Sequence, residues 1–316
     1  MVGAGDEPSL AEYVALRVRR HLVWARTEGV ASLVEEKRLN IAERARVARA
    51  KRRWRHRHGV ERGTATPVFV VGLQRSGTNM LLRGFECAPE FEVHNESDRR
   101  VFRRYRLRSE DLLRDTVRSS RHRYVLFKPL CDSHRTPELL VLPAVPAGKA
   151  IWIYRDVDDR ARSTIAKFGD SDLQAMRRVV AGQGEPVWQG QRLSDETLRR
   201  LRTFRYDTMS RETAAALLWY ARNSLFFDLG LDRRPDVRLV SYDRLVAEPE
   251  VVGQELCRFL GLPWRPDLFA HVQRRHSSHR PMPIDPAARE LCDLMGARLD
   301  RATTASALHR DEEVGP

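Results

Sequence analysis

A chain of 316 residues, 42% of them hydrophobic and 31% charged, can bury a substantial core, so its composition indicates a globular protein and excludes a disordered or fibrous one. Its longest uncharged apolar runs are about half the ~20 residues that a transmembrane helix needs, and no apolar secretory segment is visible, so we expect a cytoplasmic protein. The formal net charge of +13 favours polyanionic partners, either nucleic acid or a ligand that carries several phosphates.

Residues 1–62 predict a polar, helical and strongly basic arm. They hold 15 Lys and Arg residues against 8 Asp and Glu residues, which is more than half of the chain's excess charge. Apolar positions such as Leu16 and Trp24 indicate only a sparse amphipathic face. We interpret the arm first as a solvated helix that packs on the core, and second as a surface for anionic lipid or nucleic acid.

The segment 67–82, PVFVVGLQRSGTNMLL, predicts a strand, a loop bounded by glycines and a helix. The β-branched run Val68–Val71 is typical of a buried parallel strand, and the loop extends from Gly72 to Gly77. Unpaired N–H groups at the start of the following helix, together with the helix dipole, favour an anion there. The segment therefore predicts a phosphate site.

This phosphate site differs from that of an ATP- or GTP-binding P-loop. The G-x-x-x-x-G spacing is the same, but Thr78-Asn79 stands where the P-loop has Lys-Ser/Thr. The cation lies inside the loop, at Arg75, beside Ser76. Without the P-loop lysine, no group would reach the β- and γ-phosphates, so the loop predicts a phosphate ligand other than a triphosphate.

Four ionisable residues alternate shortly after this loop, in an extended or loop segment, and they are candidates for acid–base catalysis. They are Glu92, His94, Glu96 and Asp98. Exposed polar side chains, or partners for the arginines that follow, would give the same pattern. The next stretch, Val101–Arg118, predicts a basic helix and is a candidate lid.

Two further apolar strands end in basic residues. Tyr124–Lys128 ends in a lysine, and because ligands bind at the carboxyl ends of parallel strands, we expect Lys128 to face the same crevice as Arg75. Lys149–Tyr154 leads directly into Arg155, and Ser163 follows on a helix, so the two side chains can meet around one anion. Lys167 lies one turn further along the same helix face.

The rest of the chain predicts two helices (194–206 and 211–229), a strand (Val237–Ser241) and two more helices (250–260 and 285–299). Tyr242, at the end of that strand, either borders a bound nucleotide or is a tyrosine at the edge of the core. The basic loop 274–282 contains Arg280, a weaker candidate for a phosphate contact.

Taken in order, these motifs resemble those of the sulfotransferases that use 3′-phosphoadenosine 5′-phosphosulfate (PAPS), in particular the Arg-Ser-Gly-Thr type found in carbohydrate and tyrosylprotein sulfotransferases. The loop GLQRSGTNML resembles the 5′-phosphosulfate loop, with Asn79 in place of a second Thr. Arg155 and Ser163 resemble the 3′-phosphate pair, with Val157 in place of a proline. The strand that ends in Tyr242, and the helix after it, resemble the family's Tyr-Glu-Asp-Leu region.

The resemblance implies an α/β fold, with a P-loop-like parallel sheet flanked by helices over residues 63–300 and a tail over 301–316. It implies PAPS as co-substrate and no metal; the four cysteines have no C-x-x-C pair, so we also expect neither a disulfide framework nor a zinc site. The residues expected to bind PAPS are Gln74, Arg75, Ser76, Gly77, Thr78, Asn79, Arg155, Ser163, Lys167, Tyr242 and Arg280.

The same resemblance assigns catalytic roles. Arg75 and Lys128 would stabilise the charge that develops on the leaving phosphate. Glu96 lies at the family's distance after the loop arginine and would act as general base, with His94 as the second candidate and Asp132 as the third.

The expected acceptor is a hydroxyl of a small molecule, or of a carbohydrate or glycolipid. Two rival hypotheses are a P-loop kinase or NTPase, and a nucleic-acid-binding protein that uses the basic arm. The resemblance favours neither, and under it we expect no nucleic-acid partner.

Overall fold

The structure is a computed structural model that describes residues 41–182, 187–274 and 279–308. The chain forms two compact units, Met1–His56 and Arg57–Pro316. The described part of the first unit lies in helix α1, Ile41–His58, which carries the basic run of the predicted arm. Across these three ranges, no helix is both long enough and apolar enough to cross a membrane.

The second unit is built on a five-stranded parallel sheet with strand order β2-β5-β1-β6-β7. Its strands are β1 (Thr66–Gly72), β2 (Phe91–His94), β5 (Tyr124–Phe127), β6 (Lys149–Tyr154) and β7 (Val237–Ser241). The apolar runs make these strands because both faces of a parallel sheet are covered. The predicted α/β class is confirmed, and the segment predicted as extended or loop contributes the edge strand β2.

Helices cover both faces of the sheet, and alternate residues of each strand point to opposite layers. In chain order the helices after α1 are α2 (Thr78–Cys87), α3 (Glu110–Ser119), α4 (Thr136–Leu140), α5 (Val157–Phe168), α6 (Ser171–Ala181), α7 (Asp195–Leu201), α8 (Arg211–Asp228), α9 (Tyr242–Ala247), α10 (Pro249–Leu260) and α11 (Pro286–Leu308). Val68 and Val70 of β1 pack in one core with α2, α9 and α10, whereas Phe69 and Val71 pack in the other with α8 and α11.

The prediction of a helix over Val101–Arg118 was wrong for the first half of that segment. That half is an antiparallel hairpin, β3 (Phe102–Arg103) and β4 (Arg106–Leu107), and only α3 is helical. Arg104 and Tyr105 both have positive φ, as a two-residue hairpin turn requires, but neither is the Asn or Gly that marks such a turn in a sequence. Ser109 then caps α3 by accepting a hydrogen bond from the N–H of Leu112.

Two predicted helices have different lengths in the structure. The helix expected to end near residue 206 ends at Leu201, whose carbonyl accepts a hydrogen bond from the hydroxyl of Tyr206 at 3.0 Å. The last helix, expected to end at residue 299, continues to Leu308. Tyr154 at the end of β6 donates to Asp300 at 2.6 Å, so the sheet also holds the helix beyond the predicted end.

Candidate active site

The loop Gly72–Gly77, which we call the phosphate loop after its predicted ligand, leaves β1 through a backbone turn that only glycine adopts easily. Gly72 has φ +122°, and a Cβ atom there would lie 2.4 Å from the carbonyl oxygen of Ile153 on β6. Ser133, on the 3₁₀ segment Leu130–Arg135 after β5, accepts from the Gly72 N–H at 3.0 Å and donates to the Gly72 carbonyl at 3.0 Å. The start of the loop is therefore fixed by both neighbouring strands.

The middle of the loop shows two features that suit an anion site. Arg75 has φ +71°, a left-handed conformation that costs a non-glycine residue roughly 1–2 kcal/mol. Ser76 is fully buried, and its hydroxyl has no hydrogen-bond partner among the residues that the structure describes. Buried polar groups normally have partners, so a hydroxyl at the start of α2 without one is suited to a ligand.

The two predicted phosphate sites are in direct contact. Arg75 Nε donates to Ser163 Oγ at 2.9 Å, although the residues are 88 positions apart. Ser163 is placed by α5, which begins directly after β6 and is capped by Asp156 through the N–H of Asp159 at 3.0 Å. The start of α5 thus positions one predicted phosphate site against the loop of the other.

Tyr242, the first residue of α9 directly after β7, joins the same group of residues. Gly77 has φ +89°, and a Cβ atom there would lie 2.0 Å from the Tyr242 ring, so the ring packs directly on the loop backbone. The Arg155 guanidinium lies 4.7 Å from the centroid of the same ring, within the range of a cation–π contact. Tyr242 therefore lies between the loop glycine and the arginine predicted to bind the 3′-phosphate.

Arg155 is held in place but keeps donor capacity. Its carbonyl accepts from Trp219 Nε1 at 2.8 Å, and its Nη2 lies 3.6 Å from Asp159. The Nε atom is buried and has no hydrogen-bond partner within the described ranges. A guanidinium with an unused N–H group can form a new charge-assisted bond to a phosphate.

Lys128, Asn79 and Glu96 form a second group next to the start of α2. Lys128 is 4% exposed, and its Nζ donates to Asn79 Oδ1 at 2.7 Å and lies 3.4 Å from Glu96 Oε1. Because an ammonium group only donates, the amide oxygen of Asn79 must face it, which leaves the amide NH₂ for another acceptor. The second carboxylate oxygen of Glu96 is buried without a hydrogen-bond partner among the described residues.

His94 holds the segment that carries Glu96. Its ring is 2% exposed, with Nδ1 2.8 Å from Asp98 and Nε2 3.3 Å from Glu92. Burial raises the pKa of Glu92, but hydrogen bonds from His94 and Ser120 outweigh it and lower the pKa to about 2. Nδ1 of His94 thus holds Asp98, whereas its Nε2, like Oε2 of Glu96, is buried without a well-formed hydrogen bond among the described residues.

The other predicted residues are placed as follows. Asp132 accepts from Arg106 Nε at 2.6 Å and from the Leu107 N–H at 2.7 Å, so both of its oxygens hold the β3–β4 hairpin. Lys167 is half-buried in the last turn of α5. The Arg280 carbonyl accepts from Arg162 of α5, and the Arg280 side chain is exposed.

Arg160 is the residue of the site that sequence reasoning missed. It lies on α5 between Arg155 and Ser163 but points inward, 1% exposed, and its Nε donates to the carbonyl of Gln74 in the phosphate loop at 3.3 Å. Its charge is balanced by Asp172 at 2.7 Å. In the sequence, Arg160 lies in a largely charged stretch, residues 158–162, that does not predict burial. Its burial depends on Asp172, which is on another helix.

Asp156, Asp159 and His279 are the described residues whose potential metal-ligand atoms lie within 4.8 Å of one another. Their carboxylates already have other contacts. Asp156 caps α5, and Asp159 lies 2.8 Å from Arg162 and 3.6 Å from Arg155. We assign this group to helix capping and ion pairing.

Comparisons with known proteins agree with the sequence motifs. The family model described as a sulfotransferase domain matches residues 65–282, more than half of the chain. No curated protein gives a significant match.

Three solved structures illustrate the similarity. A sulfotransferase from Alicyclobacillus acidocaldarius is 18% identical over 77% of this chain and 96% of its own, with a TM-score of 0.42. The sulfotransferase domain from the curacin biosynthetic pathway is 14% identical over 73% of this chain and 98% of its own, with a TM-score of 0.41. A mouse sulfotransferase complexed with PAP is 13% identical over 72% of this chain and 74% of its own, with a TM-score of 0.35.

Proposed function

The chain belongs to the sulfotransferase domain family and is a sulfotransferase, and we propose that it transfers the sulfuryl group of PAPS to an acceptor hydroxyl. The observation that carries the proposal is the contact of two anion sites from distant parts of the chain. Arg75 bonds to Ser163, and the Tyr242 ring packs on Gly77 and beneath Arg155. A ligand with phosphates on both sides of a ribose matches two adjoining cationic sites better than a linear triphosphate does.

In this proposal, the loop and the start of α2 bind the 5′-phosphosulfate, and Arg155 with Ser163 binds the 3′-phosphate. The unpartnered Ser76 hydroxyl and Arg155 Nε are the buried donors that fit these oxygens. Arg160 keeps the loop in shape through the Gln74 carbonyl. Lys167 and Arg280 are proposed as outer cations of the 3′ site.

The chemistry requires positioned charge and a base. PAPS supplies an activated sulfuryl group, which passes in line to the acceptor oxygen while negative charge builds on the leaving phosphate. Lys128 and Arg75 stabilise that charge, because cations fixed in a buried site do not reorganise during the reaction. Glu96 accepts the proton of the acceptor hydroxyl through its unpartnered oxygen, and His94 holds its segment.

The first test is the choice of nucleotide. We expect adenosine 3′,5′-bisphosphate (PAP) to raise the melting temperature in a saturable way, and ATP to raise it much less, because ATP has no 3′-phosphate for Arg155 and this loop lacks the P-loop lysine. Differential scanning fluorimetry without magnesium measures both. Equal stabilisation by ATP, or a shift that needs magnesium, would support a kinase-like nucleotide site instead.

A second prediction separates the two phosphate sites. Arg155→Ala removes a charge-assisted bond worth roughly 1.5–3 kcal/mol, so the Kd of PAP should rise about ten- to a hundredfold. Adenosine 5′-phosphosulfate lacks the 3′-phosphate, so wild type and variant should bind it almost equally. Isothermal titration calorimetry compares the two ligands.

Arg162→Ala is the matched control for Arg155→Ala. Arg162 pairs with the same Asp159, at 2.8 Å, but its side chain is 40% exposed. Because Arg162 contacts the site only through the carbonyl of Arg280, Arg162→Ala should raise the Kd of PAP far less than Arg155→Ala does. If the Arg155 variant lost both nucleotides alike, Arg155 would be a structural residue and not a 3′-phosphate ligand.

The family acts on small-molecule or carbohydrate acceptors, and we propose a hydroxyl of one of these for this chain. The segments that face the carboxyl end of β5 are the hairpin β3–β4 and the 3₁₀ turn Trp188–Gly190, both of which contact the segment Leu130–Arg135. These contacts support the proposal that the two segments form the acceptor side of the site.

A further inference from the structure

Arg222, in the middle of α8, is a buried cation with unused hydrogen-bonding capacity. Its side chain is 1% exposed, and its Nη1 donates to the carbonyl of Trp188 at 3.1 Å. Its Nε and Nη2 are buried and have no hydrogen-bond partner, and no carboxylate lies within ion-pair distance, among the residues that the structure describes. Its guanidinium also lies 5.2 Å from the Trp188 ring centroid.

Other buried arginines of the protein show what a structural role looks like. Arg160 is paired with Asp172 at 2.7 Å, and Arg238 with Glu255 at 2.8 Å. Arg222 has no such partner among the described residues, and burial lowers its pKa to about 10. An unpaired buried charge is costly, so a buried guanidinium with two unused N–H groups is suited to an anionic ligand.

Among the residues that the structure describes, the acidic side chain whose charge acts on Arg222 is Asp132, and it is already paired with Arg106. Arg135 and Arg192 are paired with Glu110 and Glu138. His134 is buried among these arginines, and burial followed by their charges lowers its pKa to about 3, so it is neutral. Arg222 and Arg106 therefore have one carboxylate between them, that of Asp132, and together keep an excess of one positive charge.

This arginine cluster, which we define as Arg222 and Arg106, adjoins the phosphate loop. Cys131, next to Asp132, accepts a hydrogen bond from the Gln74 amide of the loop at 3.4 Å. Asp132 binds Arg106, whose side chain is 34% exposed and whose Nη2 also donates to Gln191 at 2.9 Å. The charges of Asp132 and Arg106 also act on Arg222, so the partly exposed Arg106 and the buried Arg222 adjoin the same segment on the proposed acceptor side.

We propose that Arg222, assisted by Arg106, binds an anionic group of the acceptor, namely a carboxylate, a phosphate ester or a sulfate ester. The proposal rests on the sulfotransferase function proposed above, since it places the acceptor next to the phosphate loop. Planar guanidinium groups with free N–H donors match all three anions bidentately. The acceptor is then an acid that also carries a hydroxyl, and Arg222 selects it against neutral alcohols.

The first experiment uses the full chain saturated with PAP, so that the phosphate loop is filled. Sodium sulfate, phosphate and acetate are titrated at constant ionic strength while the melting temperature is measured. We expect at least one anion to give a saturable rise of about 2–5 °C in wild type and none in Arg222→Met. A rise with acetate indicates a carboxylate on the acceptor, and a rise with sulfate or phosphate indicates the corresponding ester. General salt stabilisation rises without saturation and is equal in all variants.

Arg177→Met is the matched control. Arg177 also donates to backbone carbonyls, at 2.9 Å and 3.3 Å, but it is exposed. The Arg177→Met variant should show the same saturable rise in melting temperature as wild type. If Arg222→Met does not fold, Arg222→Lys takes its place in the test. A single ammonium group cannot form the paired contacts of a guanidinium, so this variant should bind the anion about fivefold or more weakly. The same saturable rise in wild type and in a folded Arg222 variant, or none in either, would overturn the proposal and leave an internal water as the partner of Arg222.

The second experiment identifies products by mass after incubation of wild type and PAPS with a metabolite extract. We expect every strong product to carry an acidic group besides the new sulfate, and Arg222→Lys to raise the acceptor KM about tenfold or more with kcat nearly unchanged. Efficient sulfation of a neutral alcohol would contradict the proposal. A lack of any product together with a lack of PAP binding would instead count against the sulfotransferase function.

Discussion

Glu96→Gln should leave PAP binding unchanged and lower kcat by ~10²–10⁴, the usual contribution of a general base. The substitution keeps the shape of the side chain and removes the carboxylate, whose Oε2 has no hydrogen-bond partner among the described residues. Lys128, 3.4 Å from Oε1, keeps an amide oxygen to contact, so the site should remain ordered. Calorimetry with PAP and steady-state kinetics on the true acceptor measure the two quantities separately.

His94→Asn is the comparison for Glu96→Gln. His94 is in contact with Glu92 and Asp98, so its loss should loosen the segment and lower kcat far less than Glu96→Gln does. If the two effects were reversed, His94 would be the base. A Glu96→Gln enzyme with near-wild-type turnover would exclude Glu96 altogether.

Lys128→Met should lower kcat by ~10²–10³, while the Kd of PAP changes much less. Methionine has a similar length and fills the buried space, but it supplies no positive charge to the leaving phosphate. Lys128 also contacts Glu96, so the two substitutions should not act independently. The double variant Lys128→Met/Glu96→Gln should lower kcat by a smaller factor than the product of the two single-variant factors. Pre-steady-state kinetics can confirm that the slow step is sulfuryl transfer.

Lys149→Met is the control for Lys128→Met. Lys149 is a half-buried lysine at the opposite, amino end of a sheet strand, and it donates to the Phe259 carbonyl at 2.7 Å. We expect it to change stability and to leave kcat unaffected. A Lys128→Met enzyme that kept kcat within about threefold of wild type would show that Lys128 holds Asn79 without stabilising the transition state.

The sheet and the phosphate loop could be predicted because their signals are local. A parallel strand covered on both faces needs a continuous apolar run, as in Val68–Val71, and a loop around an anion needs glycines at its ends. The strand positions then place Arg75, Lys128 and Arg155 at one edge of the sheet by topology alone.

The features that could not be predicted depend on contacts between distant residues. The inward direction of Arg160 is set by Asp172, and the hairpin turn at Arg104 and Tyr105 is stabilised by Asp132, which holds Arg106 and Leu107. Three of the six hairpin residues (102–107) are arginine, a good helix former, so local propensity favoured the wrong structure.

The most direct test of the proposed function follows the sulfuryl group itself. Wild-type protein is incubated with sulfur-labelled PAPS and a metabolite extract, and the label and the free PAP are quantified. We predict that label moves to at least one hydroxyl-bearing compound, with one PAP released for each label transferred, and that Glu96→Gln abolishes most of this transfer. Label that stays in PAPS in the presence of folded, PAP-binding protein, while labelled ATP donates its phosphate to the same extract, would contradict the proposal.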